Sequence, residues 1–284
     1  MRNIGLVLSG GMAKGAYQIG ALRAIGEVFQ PSDFKFVSAA SVGALNLYAF
    51  LTYGLDDAIK IWQTAENSTQ RKWVMTLLKS TFVQDSIAKI VSNVEIENSF
   101  YVPLVNIKKR KLTYANLSKV PVSHMESYLR ASVAMPVFNT GVKIGNDYFY
   151  DGAMIDNIPI KPILKYAIDY VICLHFDNYN YTFESEYLDN KVIKLNFSDG
   201  KFMFNSLSVK SDSVEQMMAD GYKKTKHVLD YIFAKGTEDL DTIYAKIETL
   251  NSLNASRRMR ITGDVIVGNM NKIARKFMNK IEVR

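Results

Sequence analysis

Cysteine is almost missing from this chain: Cys173 is the single one in 284 residues, so no disulfide can close within it. Its setting, Tyr170-Val171-Ile172-Cys173-Leu174, reads as a buried strand, and a buried structural thiol fits a reducing compartment. His175 would share its strand face two residues on, which keeps a cysteine nucleophile as the lesser reading. Histidine is scarce too, at three residues. No His, Asp or Glu group has metal-ligand spacing, so neither a metal nor another cofactor is expected. No apolar run approaches the ~20 residues of a membrane-spanning helix. Met1-Arg2-Asn3 leads straight into an apolar strand, without the h-region of a signal peptide. The expectation is a cytoplasmic protein whose contact with a membrane is peripheral. Internal repeats and low-complexity tracts are also lacking.

What is present is ordinary for a globular chain: 48% apolar and 22% charged residues. The length suits one large α/β domain, with or without a smaller appendage. The charge is not balanced. The formal net charge is +7, which suits an anionic bilayer or nucleic acid as partner. The excess is strongest near the end, where Arg257, Arg258, Arg260, Lys272, Arg275, Lys276, Lys280 and Arg284 face only Asp264 and Glu282. A solvated helix face is the plainest account of that stretch. A second basic run, Lys108-Lys109-Arg110-Lys111, reads as an exposed turn.

Hydrophobic periodicity gives strand, helix, strand, helix at the start: residues 4–8, 13–29, 34–40 and 42–52. That alternation indicates a parallel sheet with covering helices. Residues 55–97 read as helical, with Trp62, Trp73, Val74, Leu77 and Leu78 in the core. Two strands flank the basic turn between residues 100 and 116. A helix over 124–133 stops before Pro136, and Gly145-Asn146-Asp147 turns a hairpin. Strands follow at 170–176 and 192–197, separated by a loop over 177–186. A long helix covers 211–235, and 238–284 is helical with weak boundaries. The expected division is an enzyme domain over 1–235 and a basic helical extension over 236–284.

Three motifs could carry chemistry. Gly10-Gly11-Met12-Ala13-Lys14-Gly15 lies between a strand and a helix, where backbone N–H groups can hold a negative oxygen. It fails the dinucleotide fingerprint, because Met12 stands where a glycine is needed. It fails the phosphate-loop pattern too, because Ala16 follows Gly15. A plain tight turn is the competing account. Ala39-Ala40-Ser41-Val42-Gly43, at a strand-to-helix junction, has the form of a nucleophile elbow with alanine in the first glycine position. An N-capping serine is the alternative. Asp151-Gly152-Ala153 ends a strand, where a carboxylate could take a proton from a serine; an ordinary Asp-Gly turn would look the same. In a parallel sheet all three would meet at the carboxyl ends of the strands.

In that order, these motifs resemble the patatin-like phospholipases. The family's Gly-Gly-Gly-x-Arg/Lys-Gly loop corresponds to residues 10–15, its Gly-x-Ser-x-Gly elbow to 39–43 with Ala44-Leu45-Asn46 following, and its Asp-Gly-Gly/Ala motif to 151–153 with Met154-Ile155-Asp156-Asn157-Ile158-Pro159-Ile160 following. Residues 131–138 also look like the family's segment before the aspartate hairpin, and the likeness covers roughly residues 4–230. It implies a three-layer α/β/α sandwich with a mainly parallel sheet. It implies a phospholipase A or lysophospholipase activity on acyl-ester lipids without a metal. Ser41 would be nucleophile and Asp151 base, with an oxyanion hole from Gly10, Gly11 and Met12. Lys14, Gly15, Gly43 and Gly152 would support them. The sequence departs from the family at Ala39, where the elbow is tightened, and at Met12, where a positive φ would strain a residue with a side chain.

Two other readings stand beside this one. A conventional α/β-hydrolase would draw a histidine, His175 or His227, after Asp151. That fold needs more strands before its nucleophile than precede Ser41. A catalytically impaired relative would instead use the basic C-terminus to bind membrane or nucleic acid.

Overall fold

The computed structural model describes residues 2–67, 81–136, 140–176, 186–197 and 213–253. Their core is an eight-stranded sheet in the order β5-β6-β3-β2-β1-β7-β8, with β4 also pairing on β3. The strands are β1 (Ile4–Leu8), β2 (Phe34–Ala39), β3 (Ser99–Asn106), β4 (Lys111–Asn116), β5 (Val142–Ile144), β6 (Asp147–Asp151), β7 (Tyr170–His175) and β8 (Val192–Asn196). The centre is parallel: β1 pairs with β2 and β7, β2 with β3, and β7 with β8. The two hairpins, β3–β4 and β5–β6, make the antiparallel side, and β6 joins them by pairing with β3.

The short apolar runs become strands because both of their faces are covered. In β1, Leu6 and Leu8 enter the main apolar cluster while Val7 points to the opposite one, joined there by Val171, Cys173 and Val192. The main face carries the helices α1 (Gly15–Gly26), α2 (Val42–Leu51), α3 (Leu55–Asn67), α4 (Thr81–Ile90) and α5 (Val122–Ser132). Also on it are α7 (Val214–Ile232) and α8 (Leu240–Leu253). The other face lies under Ile158, Ile160, Ile163 and Tyr166, and under Leu188 of the short helix α6 (Glu186–Asp189). Cys173 is buried there, outside any disulfide.

The strands expected around 100–116, 142–150, 170–176 and 192–197 are all found, as are the helices near 124–133 and 211–235. Continuous helix over 55–97 is not. Helix α4 ends at Ile90, and residues 91–98 run without regular structure into β3. The reason is local polarity. Ser92 exchanges hydrogen bonds with the hydroxyl of the buried Tyr48, at 3.2 and 3.3 Å. The Asn98 side chain donates to the carbonyls of Pro31 and Phe34, so long-range bonds hold this stretch extended toward β3. Trp73, Val74, Leu77 and Leu78, the 177–185 loop and the basic residues from 254 onward lie outside the described residues. Where described, the C-terminal part is bound into the rest: Ile243 and Ile247 of α8 are fully buried in the main cluster. No helix among the described residues is long and apolar enough to cross a membrane.

Candidate active site

At the carboxyl end of β2 the chain reverses through Ala40 and Ser41 into α2. Ser41 has φ 54° and ψ −134°, a sparsely populated region for a residue with a β-carbon, costing on the order of 1–3 kcal/mol. The turn holds it there. The Ala40 N–H donates to the Leu8 carbonyl (3.0 Å), and those of Gly43 and Ala44 close the first helical turn onto Ala40 and Ser41. A β-carbon at Gly43 would lie 2.6 Å from the Ser9 carbonyl oxygen, so glycine is required where helix crosses strand. Ala39 packs fully buried in the main cluster, and the elbow forms around its methyl. The Ser41 hydroxyl does not cap α2; it stands near enough to Asp151 to act on that carboxyl's ionisation, favouring the charged form.

Asp151 ends β6 opposite Leu104. Its own N–H donates to the Ala134 carbonyl at 2.9 Å, and its Oδ1 accepts the Ala153 N–H at 2.8 Å. A β-carbon at Gly152 would sit 2.5 Å from the Pro103 carbonyl, which explains the glycine after the aspartate. Burial dominates the electrostatics. It pushes the carboxyl up to about 7, against the lowering effect of the Ser41 and Ala153 hydrogen bonds. His175 is buried on β7, and burial, with Lys194 and Lys224 nearby, pushes it down to about 3. His124 and His227 are exposed on α5 and α7.

The glycine loop closes the third side. Gly10 is joined to Asn157, N–H to carbonyl and side-chain amide to carbonyl, both at 3.3 Å. A β-carbon on Gly10 would fall 2.9 Å from the Ser41 β-carbon, which places the loop against the serine. The Phe176 ring covers Gly11. Met12 adopts φ 51°, the strained conformation expected from its departure from glycine. The Lys14 N–H turns the loop back onto the Gly11 carbonyl at 3.0 Å. The Lys14 side chain is buried, and Gly15 lies under the Trp62 ring. The Gly10 N–H, expected in the oxyanion hole, donates here to the Asn157 carbonyl. Among the described residues, the N–H groups of Gly11 and Met12 donate to no backbone carbonyl.

Sequence reasoning missed the network that ties loop to elbow. Gln18 of α1 donates to the Ser9 carbonyl at 2.7 Å. Asn46 of α2 donates to the Gly15 carbonyl (3.0 Å) and to Gln18 (2.9 Å), and accepts the Trp62 indole N–H at 3.1 Å. The available signal was Asn46 itself, one amide inside the apolar run Val42-Gly43-Ala44-Leu45-Asn46-Leu47-Tyr48. A buried amide is retained where partners satisfy it.

Comparison with known proteins agrees with this architecture. The family model of patatin-like phospholipases matches residues 6–164. The lysophospholipase NTE1 of Cryptococcus neoformans var. neoformans serotype D is 26% identical over 199 residues, 66% of this chain and 12% of that protein. A second strain's enzyme matches equally. The chain thus spans about an eighth of the length of these relatives, at the 12% coverage found. The crystal structure of VipD from Legionella pneumophila superposes with a TM-score of 0.50 at 15% identity, covering 81% of this chain and 67% of that one, a likeness of fold. The family model covers more than half of the chain, including all three strand-end motifs, and the chain belongs to the patatin-like phospholipase family.

Proposed function

We propose that the protein is a serine lipid acyl hydrolase, of phospholipase A or lysophospholipase type, working through a Ser41–Asp151 dyad. The observation that carries this reading is Ser41, held on a strained turn beside the buried Asp151 carboxyl, whose charged form it favours. Ionised Asp151 takes the hydroxyl proton as Ser41 Oγ attacks the ester carbonyl carbon. The carbonyl oxygen becomes an oxyanion, which the Gly11 and Met12 N–H groups and the start of α2 are placed to receive. Collapse breaks the ester bond, and the leaving alkoxide takes the proton from Asp151. A water then attacks the acyl-serine while Asp151 accepts its proton. Ser41 recovers a proton as the fatty acid leaves. Lys14, Gly15, Gly43, Gly152 and Asn157 act as positioning residues that keep the three segments together. Peripheral contact with an anionic membrane belongs to the same proposal. An impaired relative serving only as a binding module would have no use for a strained serine aimed at a buried acid.

Fatty-acid release from mixed phospholipid vesicles and from a short-chain p-nitrophenyl ester tests this. Wild type releases acid from both. Folded Ser41→Ala and Asp151→Asn lose activity by about 10³-fold or more, the scale of removing a nucleophile or its base. Full activity in Ser41→Ala would refute the dyad.

A further inference from the structure

Two hairpin turns stand together beside the Ser41–Asp151 pair, and strand register fixes their height. β2 pairs with β3 up to Ser38 and Tyr101 before the chain turns into the elbow, while β3 runs on to Leu104, which pairs with Asp151. Strand β3 continues past that level through Val105 and Asn106 before turning, and β6 runs alongside it from Asp147. At ~3.3 Å per residue the two turns rise about 10 Å above the level of Asp151, on the side where the parallel strands end. They are joined there: Lys109 Nζ meets the Asp147 carboxylate at 2.6 Å.

The chemistry of these tips is one-sided. Lys108, Lys109, Arg110, Lys111 and Lys143 are all exposed, and Asp147 is the acid among residues 107–111 and 142–148. Lys143 pairs with Tyr148 on the outward face of the β5–β6 hairpin, while Val142, Ile144 and Phe149 pack inward on the main cluster. Tyr148 is 55% exposed. Exposed lysines alone mark only a solvated surface. Here two separate hairpins are tied so that their cations stay together. A tyrosine, suited to a membrane–water boundary, stands outward among them, and the whole projects over the open end of the sheet.

We propose that the joined tips of the β3–β4 and β5–β6 hairpins dock the protein on an anionic phospholipid bilayer, with the Ser41 crevice turned toward the headgroups. The choice of lipid over nucleic acid rests on the acyl-hydrolase reading. The tips also carry one outward tyrosine rather than the row of stacking rings that single strands require.

The test is binding of Ser41→Ala, which leaves lipid intact, to sedimented vesicles of phosphatidylcholine with and without phosphatidylglycerol. Ser41→Ala binds the anionic vesicles and releases them as salt rises. Adding Lys108→Glu/Lys143→Glu weakens binding by about tenfold or more, as expected for surface cations at an anionic leaflet. Adding Tyr148→Ser weakens it less and leaves the salt dependence unchanged. With Ser41 restored, both sets of variants hydrolyse the monomeric p-nitrophenyl ester at the wild-type rate, which separates docking from folding or catalysis. Equal binding to neutral vesicles, or unchanged binding by the charge-reversed protein, overturns the proposal. So does tighter tip-dependent binding to an oligonucleotide than to the vesicles. Anionic binding lost on charge reversal, without ester or lipid hydrolysis by wild type, would uphold the docking surface and reject the acyl-hydrolase reading instead.

Discussion

At the scale of single residues, function and stability pull against each other in Asp151. As the base proposed for Ser41 it must be ionised, yet burial favours its neutral form and pushes it up to about 7. With the folded value above the unfolded one, the native state holds a proton that the unfolded chain has released. Stability from this group is therefore present below pH ~4 and is lost as pH rises to about 7. Above that the cost is about 4 kcal/mol at most. Asp151→Asn removes the titration while keeping an acceptor for the Ala153 N–H. The expected result is an inactive protein that melts higher than wild type at pH 8, the difference shrinking toward pH 5; thermal melts of both proteins across that range check it. The roles suggested for Ser41 and Asp151 were legible because each motif sits at a strand end with the small residues its turn needs. Met12 was legible as a strained position. The commitment of the Gly10 N–H to Asn157 was not, because it depends on which carbonyl a distant loop brings up.

Among the elements, α1 and α7 cross with almost no space between them. A β-carbon on Gly20 would come within 1.8 Å of the Met218 carbonyl oxygen, and one on Gly221 within 2.1 Å of that of Tyr17. Backbone cannot step aside as a side chain can. Gly221→Ala is expected to destabilise by about 2–3 kcal/mol through overpacking. Gly26→Ala, exposed at the end of α1 with its nearest contact at 3.6 Å, should gain about 0.5–1 kcal/mol from helix propensity. Denaturant unfolding of the two variants separates these outcomes. Sequence periodicity placed both helices, but it could not reveal that their two glycines meet across about 200 residues of chain, from 20 to 221. Residues 91–98 failed for a related reason. They read as the end of a helical stretch, while the long-range hydrogen bonds of Ser92 and Asn98 hold the backbone elsewhere.

Over the whole molecule, the sheet gathers its chemistry at one end. The glycine loop follows β1, the serine follows β2, and the aspartate closes β6 across β3 from the serine. Alternating strand and helix patterns made this parallel centre readable from the chain. The antiparallel side was readable only as separate hairpins, since nothing local tells β6 to pair with β3. Net charge was readable as a total, and its placement was not: Lys109 and Asp147 stand 38 residues apart in sequence and join the two hairpins. The account turns on one serine activated by one carboxylate, and a pH series of fluorophosphonate labelling, read by peptide mass spectrometry, addresses that link most directly. Labelling should fall on Ser41, rise about tenfold per pH unit below a midpoint near 7, and level off above it. In Asp151→Asn it should be slow and should lose that midpoint. Labelling at another residue, or an unchanged pH profile in Asp151→Asn, would contradict the account.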